Sequence, residues 1–234
     1  MAKQSKYGTL YLIATPIDEQ NPLDTTALNL LKSAIEKREQ SLFLIEDLKP
    51  CRRRWIRFGL DREIIEDFIL FNEHTQVEIE NEIITKIQSG KNAYLMSDGG
   101  LPAFCDPGQK LVKRCHELGI RVTCTPHSNS ISLAVALSGI DCANFTFAGF
   151  PPRRPEERKE FLKNLAKVNM PKVLMDTPYR LTRLLEESVE VFGDRLAFVG
   201  MELNGEDEEL KYGKLSKLLK DVSGLKKEFI LIIK

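Results

Sequence analysis

Several signatures are missing from this 234-residue chain, and each absence excludes a class of protein. No apolar run approaches the roughly 18 residues of a membrane-spanning helix. The five cysteines form no Cys-x-x-Cys pair, which argues against a disulfide framework and a structural zinc site. The short N-terminal apolar run has no small-residue cleavage site, so we expect no signal peptide. These absences predict a soluble, cytoplasmic protein with no metal site and no membrane partner.

Two nucleotide-binding fingerprints are also missing. No Gly-x-Gly-x-x-Gly follows the first apolar run, and no Gly-x-x-x-x-Gly-Lys-Ser/Thr occurs, which disfavours a standard dinucleotide fold and a P-loop enzyme. The net charge is zero, with 34 basic and 34 acidic residues, so a nucleic-acid surface has to be a local patch. The three histidines do not cluster, and we retain only His127, at the end of a predicted strand, as a candidate.

What the sequence does contain is an alternation of short apolar runs with amphipathic segments. Up to residue 126, four apolar runs predict buried parallel strands separated by helices: GTLYLIATP, SLFLIED, NAYLMSD and IRVTCTP. Beyond that point, the alternation around FTFAGF and KEFILIIK predicts a mixed sheet. We therefore predict two α/β domains, residues 1–126 with a parallel sheet and residues 127–234 with a mixed sheet.

The stretch LMSDGGLPAFCDPG, residues 95–108, begins within the third of these predicted strands and is dense in glycine, proline and aspartate. Ligands of open α/β sheets bind outside the carboxyl ends of the strands. Gly99 and Gly100 allow close backbone approach, and Asp98 offers a carboxylate to hydroxyls or to a cation. The alternative is a plain turn in which Asp98 or Asp106 caps a helix.

A second candidate is the basic segment KPCRRRWIRF, residues 49–58. Arg52, Arg53, Arg54 and Arg57 surround Trp55 and Phe58 and combine phosphate contacts with a possible stacking surface. This pattern predicts RNA binding by Arg52, Arg53 and Arg57. The alternative is a solvated helix with Trp55 in the core.

The motifs, taken in order, resemble a known family. The order is GTLYLIATPI, ED followed by basic residues and FG, NEH, SDGGLPAFCDPG, FAGFPPRR, DTPYRL and VFGDR. This order is similar to that of the tetrapyrrole-methylase superfamily of S-adenosylmethionine-dependent methyltransferases. Within it, the chain resembles the branch that methylates the ribose 2′-hydroxyl of a cytidine in small-subunit ribosomal RNA.

The chain departs from this family pattern at several strand ends. Asp18-Glu19-Gln20 stands where the family has Gly-Asn-Leu, Leu101 replaces a threonine, and PHSNS (126–130) replaces Pro-Gly-Pro-Ser-Ala. Glu-Asp-Thr-Arg becomes Glu46-Asp47-Leu48-Lys49, and the resemblance ends at Lys234, where many relatives continue. The changes cluster at predicted ligand-facing ends rather than in the core.

The resemblance implies a homodimer with S-adenosylmethionine in a cleft between the two domains and ribosomal RNA or the small subunit as partner. The implied cofactor residues are Pro16, Ile17, Asp98, Gly99, Gly100, Leu101, Asn129, Ser130, Met175, Leu203 and Glu228. The carboxylate pair Glu46 and Asp47 is the candidate general base; the alternative is a helix cap or a salt bridge to the adjacent arginines. Two other functions stay open: a degenerate member that binds cofactor or RNA without methyl transfer, and a methyltransferase with a small tetrapyrrole-like acceptor.

Overall fold

The computed structural model describes residues 6–127 and 129–234, and the chain folds as two compact units, Met1–Ser128 and Asn129–Lys234. Residues 1–5 and Ser128 lie outside the described residues. The structure therefore describes the predicted 126–130 turn at every residue except Ser128. Each unit contains a five-stranded sheet with helices. The predicted pair of α/β domains is confirmed as a fold class.

Unit 1 alternates strands and helices, as the apolar runs predict. Its elements are β1 (Thr9–Ile13), α1 (Thr25–Glu36), β2 (Ser41–Ile45), α2 (Leu48–Arg57), β3 (Phe68–Leu70), α3 (Gln76–Gln88), β4 (Asn92–Met96), α4 (Gln109–Glu117) and β5 (Arg121–Cys124). The strands are hydrogen-bonded in the order β3-β2-β4-β1-β5, and every pair is parallel. A parallel sheet was predicted for this half of the chain and is confirmed.

Both faces of this sheet are buried, because successive side chains of a strand point to opposite sides. Ile13, Phe43 and Met96 pack with α1 and α2 on one face. Leu10, Leu44 and Leu95 pack with α3 and α4 on the other. The chain leaving β1 therefore turns to one face and the chain leaving β4 turns to the opposite face. Since β1 and β4 are neighbours, their carboxyl ends form the topological switch point, where α/β sheets bind ligands.

Unit 2 has a mixed sheet, as predicted. Its elements are α5 (Ser130–Ser138), β6 (Thr146–Gly149), α6 (Pro155–Ala166), β7 (Lys172–Asp176), α7 (Leu181–Phe192), β8 (Leu196–Met201), β9 (Glu209–Lys214), α8 (Leu215–Val222) and β10 (Phe229–Ile233). The strand order is β6-β7-β10-β8-β9; β6 and β7 are parallel, and β10 is antiparallel to both of its neighbours. The ends of β6, β7 and β8 and the start of β10 consequently share one edge, the carboxyl edge of unit 2.

Three elements were not predicted from the apolar pattern. β3 is only three residues long. β9 is an edge strand whose exposed side chains alternate along it and are Leu210, Tyr212 and Lys214. α8 follows β9 without a separating turn. Asp24 caps the start of α1. The Asp24 Oδ1 atom accepts hydrogen bonds from the backbone N–H of Thr26 at 2.8 Å and of Ala27 at 3.3 Å.

Two findings concern the described residues as a group. Among residues 6–127 and 129–234, no helix is long and apolar enough to cross a membrane. Within the same ranges, no three His, Cys, Asp or Glu side chains are grouped so that they could hold a metal ion.

Candidate functional site

The carboxyl ends of β1 and β4 are joined by a pair of backbone hydrogen bonds. The Thr15 N–H donates to the Gly100 carbonyl at 2.9 Å, and the Gly100 N–H donates to the Thr15 carbonyl at 3.2 Å. Gly100 has a φ of 85°, and a Cβ built there would meet no atom within 4 Å. This backbone is therefore uncovered at the switch point of the sheet and open to a ligand.

The loop that follows β4 is strained as well as open. Ala103 and Cys105 both have a φ of 63°, in the left-handed region that costs a residue with a side chain roughly 1–2 kcal/mol. The capping alternative for Asp98 and Asp106 is wrong, because α4 begins at Gln109 with Gly108 at its N-cap, and the described residues place no side-chain cap there. Strain in a loop that caps no helix is typical of functional sites.

Asp98 lies half-buried beside two other carboxylates. Its N–H donates to the Glu46 carboxylate at 3.2 Å, and the backbone N–H of Asp47 donates to its side chain. Burial, and next the charges of Glu46 and Asp47, raise the pKa of Asp98 to about 6. Within the part of the chain that the structure describes, the buried Oδ1 atom of Asp98 has no hydrogen-bond partner. A buried carboxylate oxygen without a donor costs stability unless a ligand supplies one.

Asp106, ten residues after the end of β4, completes this acidic cluster. Burial, followed by the charge of Glu46, raises the pKa of Asp106 to about 7, and a hydrogen bond with Ser97 partly opposes the shift. Ionisation of Asp98 and Asp106 beside Glu46 therefore destabilises the folded unit.

We expect Asp106→Asn to raise the melting temperature at pH 8 and to leave it unchanged at pH 4. The folded pKa of Asp106 lies above its unfolded value, so its stabilising contribution is complete below pH about 4 and is lost as the pH rises through about 7. Asparagine stays neutral throughout. Thermal unfolding at the two pH values measures the difference, and Asp221→Asn, at an exposed carboxylate on α8, is the matched control. A gain of equal size at both pH values would contradict this account of the cluster.

Glu46 and Asp47, the predicted general base, follow β2 and differ in their surroundings. Glu46 is half-buried and its carboxylate accepts from the Asp98 N–H. Asp47 is exposed and caps α2, with its Oδ1 accepting from the Lys49 N–H at 2.8 Å. Both carboxylates thus have structural partners, and Asp47 fills the capping role that was the alternative to catalysis.

The arginines of α2 hold the loop that follows β1. Arg53 makes a bidentate ion pair with Glu19, at 3.0 Å from Nε and 2.7 Å from Nη2. Arg57 donates to the Glu19 carbonyl at 3.0 Å and to the Gln20 side chain. Glu19 and Gln20, which depart from the family pattern after β1, are therefore partners of two predicted RNA-binding arginines. Arg52, Arg53 and Arg57 are all exposed.

Arg54 joins this loop to the loop after β4. It is 7% exposed, and its Nη1 donates to the Pro16 carbonyl at 2.9 Å. Its Nη2 would lie 3.3 Å from a Cβ on Gly99, so only a residue as small as glycine fits there without displacing the guanidinium. Burial lowers the pKa of Arg54, and the charges of Glu19 and Asp98 oppose this. Arg54 therefore contacts two segments that carry predicted cofactor residues.

We expect Arg54→Met to destabilise the protein by about 1–3 kcal/mol, because the Pro16 carbonyl loses its donor and Asp98 loses a nearby cation. Chemical denaturation measures this change. Arg52→Met, on the exposed side of the same helix, is the control and should change stability by less than about 0.5 kcal/mol. Equal stability of the two variants would show that the Arg54 contacts are not needed to hold the loops.

Trp55 is part of the core of unit 1 and not of a stacking surface. It is 1% exposed, and its indole N–H donates to the Asp61 carbonyl at 2.7 Å. The stacking role considered for Trp55 is therefore wrong, and the alternative of a core tryptophan holds. His127 is exposed after β5.

The predicted cofactor residues of unit 2 fall into two groups. Asn129 caps α5, its Oδ1 accepting from the Ile131 N–H at 3.0 Å, which places Ser130 in the first turn. Met175 and Leu203 contribute to the apolar cluster that contains Ile131. Glu228 directly precedes β10. Its carbonyl accepts from the Glu202 N–H at 3.0 Å, and its own N–H donates to the Glu202 carboxylate at 2.9 Å. Met175, Leu203 and Glu228 thus lie at or next to the carboxyl edge of unit 2.

Two residues of the unit 1 site were missed by reasoning from the sequence. Asp106 was considered only as a helix cap, and Arg54 only as one member of a basic run. A signal for Arg54 was present: Cys51, Arg54 and Trp55 are spaced at i, i+3 and i+4, which places the arginine on the buried face of α2.

Comparison with known proteins identifies the family. The family model for Tetrapyrrole (Corrin/Porphyrin) Methylases matches residues 9–219, nearly the whole chain. The chain belongs to the tetrapyrrole methylase family. It is therefore a methyltransferase, and methyltransferases of this family use S-adenosylmethionine as the methyl donor.

Relatives within the tetrapyrrole methylase family carry a more specific name. The chain is 34% identical over 212 residues to ribosomal RNA small subunit methyltransferase I of Thermotoga maritima, covering 91% of this chain and 90% of the relative. The protein of the same name from Bacillus subtilis is 30% identical over 232 residues, covering 98% of this chain and 76% of the relative.

Solved structures of tetrapyrrole methylases share the fold. Uroporphyrin-III-C-methyltransferase from Thermus thermophilus matches with a TM-score of 0.59 at 17% identity, over 97% of this chain and 94% of that one. The cobalt precorrin-4 methyltransferase matches with a TM-score of 0.59 at 18% identity, over 96% and 94%. At this level of identity the likeness concerns the fold alone.

Proposed function

We propose that this protein methylates a ribose 2′-hydroxyl of small-subunit ribosomal RNA with S-adenosylmethionine as the donor. The single observation that carries the proposal is the 34% identity to ribosomal RNA small subunit methyltransferase I of Thermotoga maritima over nine-tenths of both chains. The position of the acceptor, a ribose oxygen of a cytidine, is part of the proposal and derives from the resemblance of the sequence motifs.

The residues at the switch point of unit 1 fit such a cofactor. Asp98 presents a buried carboxylate oxygen that lacks a donor among the described residues, and a ligand hydroxyl or ammonium group would supply one. The uncovered backbone at Gly100 allows close approach, and Leu101 is half-buried beside it. We propose that Pro16, Ile17 and residues 98–101 contribute the contacts from unit 1.

In unit 2, the proposed contacts are Asn129, Ser130, Met175, Leu203 and Glu228. Met175 and Leu203 offer apolar surface, which suits a flat adenine, and the start of α5 and Glu228 offer polar groups. When bound, S-adenosylmethionine supplies a methyl group activated by its sulfonium. The protein orients the acceptor oxygen towards it, and orientation of this kind contributes about 7–11 kcal/mol in favourable cases.

We propose that the general base is one of the pair Glu46 and Asp47. A base that removes the proton of the ribose hydroxyl accelerates transfer by about 10²–10⁴-fold. The structure favours Glu46, because the Asp47 side chain is exposed and occupied in capping α2.

The arginines of α2 are the proposed RNA contact of unit 1. The charge of Arg53 is neutralised by Glu19, and Arg57 is held by Glu19 and Gln20, so Arg52 is the side chain most available to a phosphate. A homodimer and a cytoplasmic location, where ribosomal subunits are assembled, complete the proposal.

The proposal is tested by offering several acceptors to the wild-type protein with S-adenosylmethionine labelled in its methyl group. The acceptors are isolated small ribosomal subunits, free small-subunit RNA and a tetrapyrrole. We expect label in the RNA of the first or second acceptor. Label in the tetrapyrrole alone would overturn the RNA assignment, and binding of the cofactor without transfer to any acceptor would identify a degenerate family member.

A further inference from the structure

Two exposed aromatic side chains lie at the carboxyl edge of unit 2 and have no role in the proposed cofactor site. Phe150 follows β6 and is 50% exposed, and Tyr179 follows β7 and is 80% exposed. β6 and β7 are parallel neighbours, with Phe147 paired to Val173, so the chain leaves both strands at the same edge of the sheet.

Tyr179 is carried by a rigid turn. Only Thr177 separates the short 3₁₀ helix Pro178–Arg180 from Asp176. The buried carboxylate of Asp176 accepts from Arg158 at 2.7 Å, from the Thr177 N–H at 2.8 Å and from Arg180 at 3.3 Å. Because the turn is fixed at its base, the exposed ring loses little conformational freedom when a partner binds it.

Cations accompany both rings. The Lys226 ammonium lies 5.5 Å from the centre of the Tyr179 ring, and Lys226 precedes β10, whose start is paired with the end of β7. Arg153 is exposed three residues after Phe150. We call these four side chains, Phe150, Arg153, Tyr179 and Lys226, the aromatic edge.

The charge along this edge of unit 2 is polarised. The turn between β8 and β9, at the other end of the sheet, carries the acidic residues Glu206, Asp207 and Glu208. A polyanion is therefore favoured on the β6–β7 side and repelled from the β8–β9 side. Met175, a proposed cofactor residue, is the penultimate residue of β7 and so lies close in the chain to Tyr179.

We propose that the aromatic edge binds unpaired nucleotides of the RNA substrate, with Phe150 and Tyr179 stacking on bases and Arg153 and Lys226 contacting phosphates. Sequence-tolerant binding of single strands combines these two kinds of contact, since every base has a π-face and every nucleotide a charge. The inference rests on the proposed function for the presence of an RNA substrate. Paired RNA hides its base faces, so the edge fits a loop or an unwound strand.

The test compares Tyr179→Ala, Phe150→Ala and the double variant with the wild type. Affinity for a fluorescent single-stranded RNA is measured by anisotropy, affinity for S-adenosylmethionine by calorimetry, and the oligomeric state by light scattering. Tyr212→Ala is the matched control, because Tyr212 is 54% exposed but lies on β9 of the same sheet. Tyr179→Phe keeps the ring and removes only the hydroxyl.

We expect each alanine variant to bind RNA roughly five- to 100-fold more weakly, with unchanged cofactor affinity. Tyr179→Phe and Tyr212→Ala should bind RNA like the wild type. Unchanged RNA affinity in the double variant overturns the inference, and so does an altered oligomeric state, which would assign the edge to contact between copies of the chain. One outcome separates the two proposals: the wild type binds RNA but methylates no ribosomal RNA, and Tyr179→Ala binds RNA more weakly. The proposed function then fails, and the RNA-binding role of the aromatic edge is supported.

Discussion

Replacement of Asp98 by alanine is expected to weaken binding of S-adenosylmethionine by about 10- to 100-fold, because a hydrogen bond to a charged group contributes roughly 1.5–3 kcal/mol. The same change should not destabilise the fold at neutral pH. It removes a carboxylate whose ionisation is opposed by burial and by Glu46 and Asp47. Loss of binding together with retained or raised stability is the pattern of a residue kept for a ligand rather than for the fold.

Calorimetry with S-adenosylmethionine at pH 8, together with thermal unfolding, measures both effects. Asp221→Ala, an exposed carboxylate on α8, is the control. Wild-type affinity should also fall as the pH drops below about 6, where Asp98 gains its proton, and the alanine variant should lack this decline. If the Asp98 variant binds S-adenosylmethionine at pH 8 as tightly as the wild type does, the loop after β4 only forms a turn and Asp98 does not bind the cofactor.

Replacement of Glu46 by glutamine is expected to lower kcat for methyl transfer by about 10²–10⁴-fold, the range that a general base contributes. Glutamine keeps an oxygen that can accept from the Asp98 N–H, so the loop geometry and the affinity for the cofactor should be preserved. Asp47→Asn is the paired variant, because asparagine is also a good helix N-cap and keeps the start of α2.

Single-turnover rates and cofactor affinity separate the two carboxylates. A loss of rate confined to the Glu46 variant assigns the base to Glu46, and a loss confined to the Asp47 variant assigns it to Asp47. Wild-type rates in both variants would contradict a base role for the pair and would leave them with the capping and loop contacts that the structure shows.

The sheet of unit 1 could be predicted because each buried parallel strand is a short run of apolar residues that ends in a polar or proline-containing segment. The third predicted strand, NAYLMSD at residues 92–98, corresponds to β4, which ends at Met96, two residues before Asp98. The strand-end rule predicts the ligand side of the sheet from the same pattern. The apolar pattern cannot predict elements that lack an apolar run, such as the edge strand β9.

The contacts of the site could not be predicted in the same way, because they join residues far apart in the chain. The acidic Asp18-Glu19-Gln20 segment and the arginines of α2 were each noted, but only the structure pairs Glu19 with Arg53. The burial of Arg54 depends on which face of α2 meets the sheet. The raised pKa values of Asp98 and Asp106 likewise arise from burial and, next, from the charge of Glu46, which follows the neighbouring strand β2.

The most direct test of the central claim is the position of the methyl group in the product. Small-subunit RNA is methylated by the wild-type protein with labelled S-adenosylmethionine and is then hydrolysed in alkali, which cleaves RNA only next to a free 2′-hydroxyl. Ribose methylation predicts that the label is recovered in an alkali-resistant dinucleotide, and that it is absent when the Glu46 variant is used for the same short time. Label recovered in mononucleotides, on a base, or in no RNA at all would contradict it.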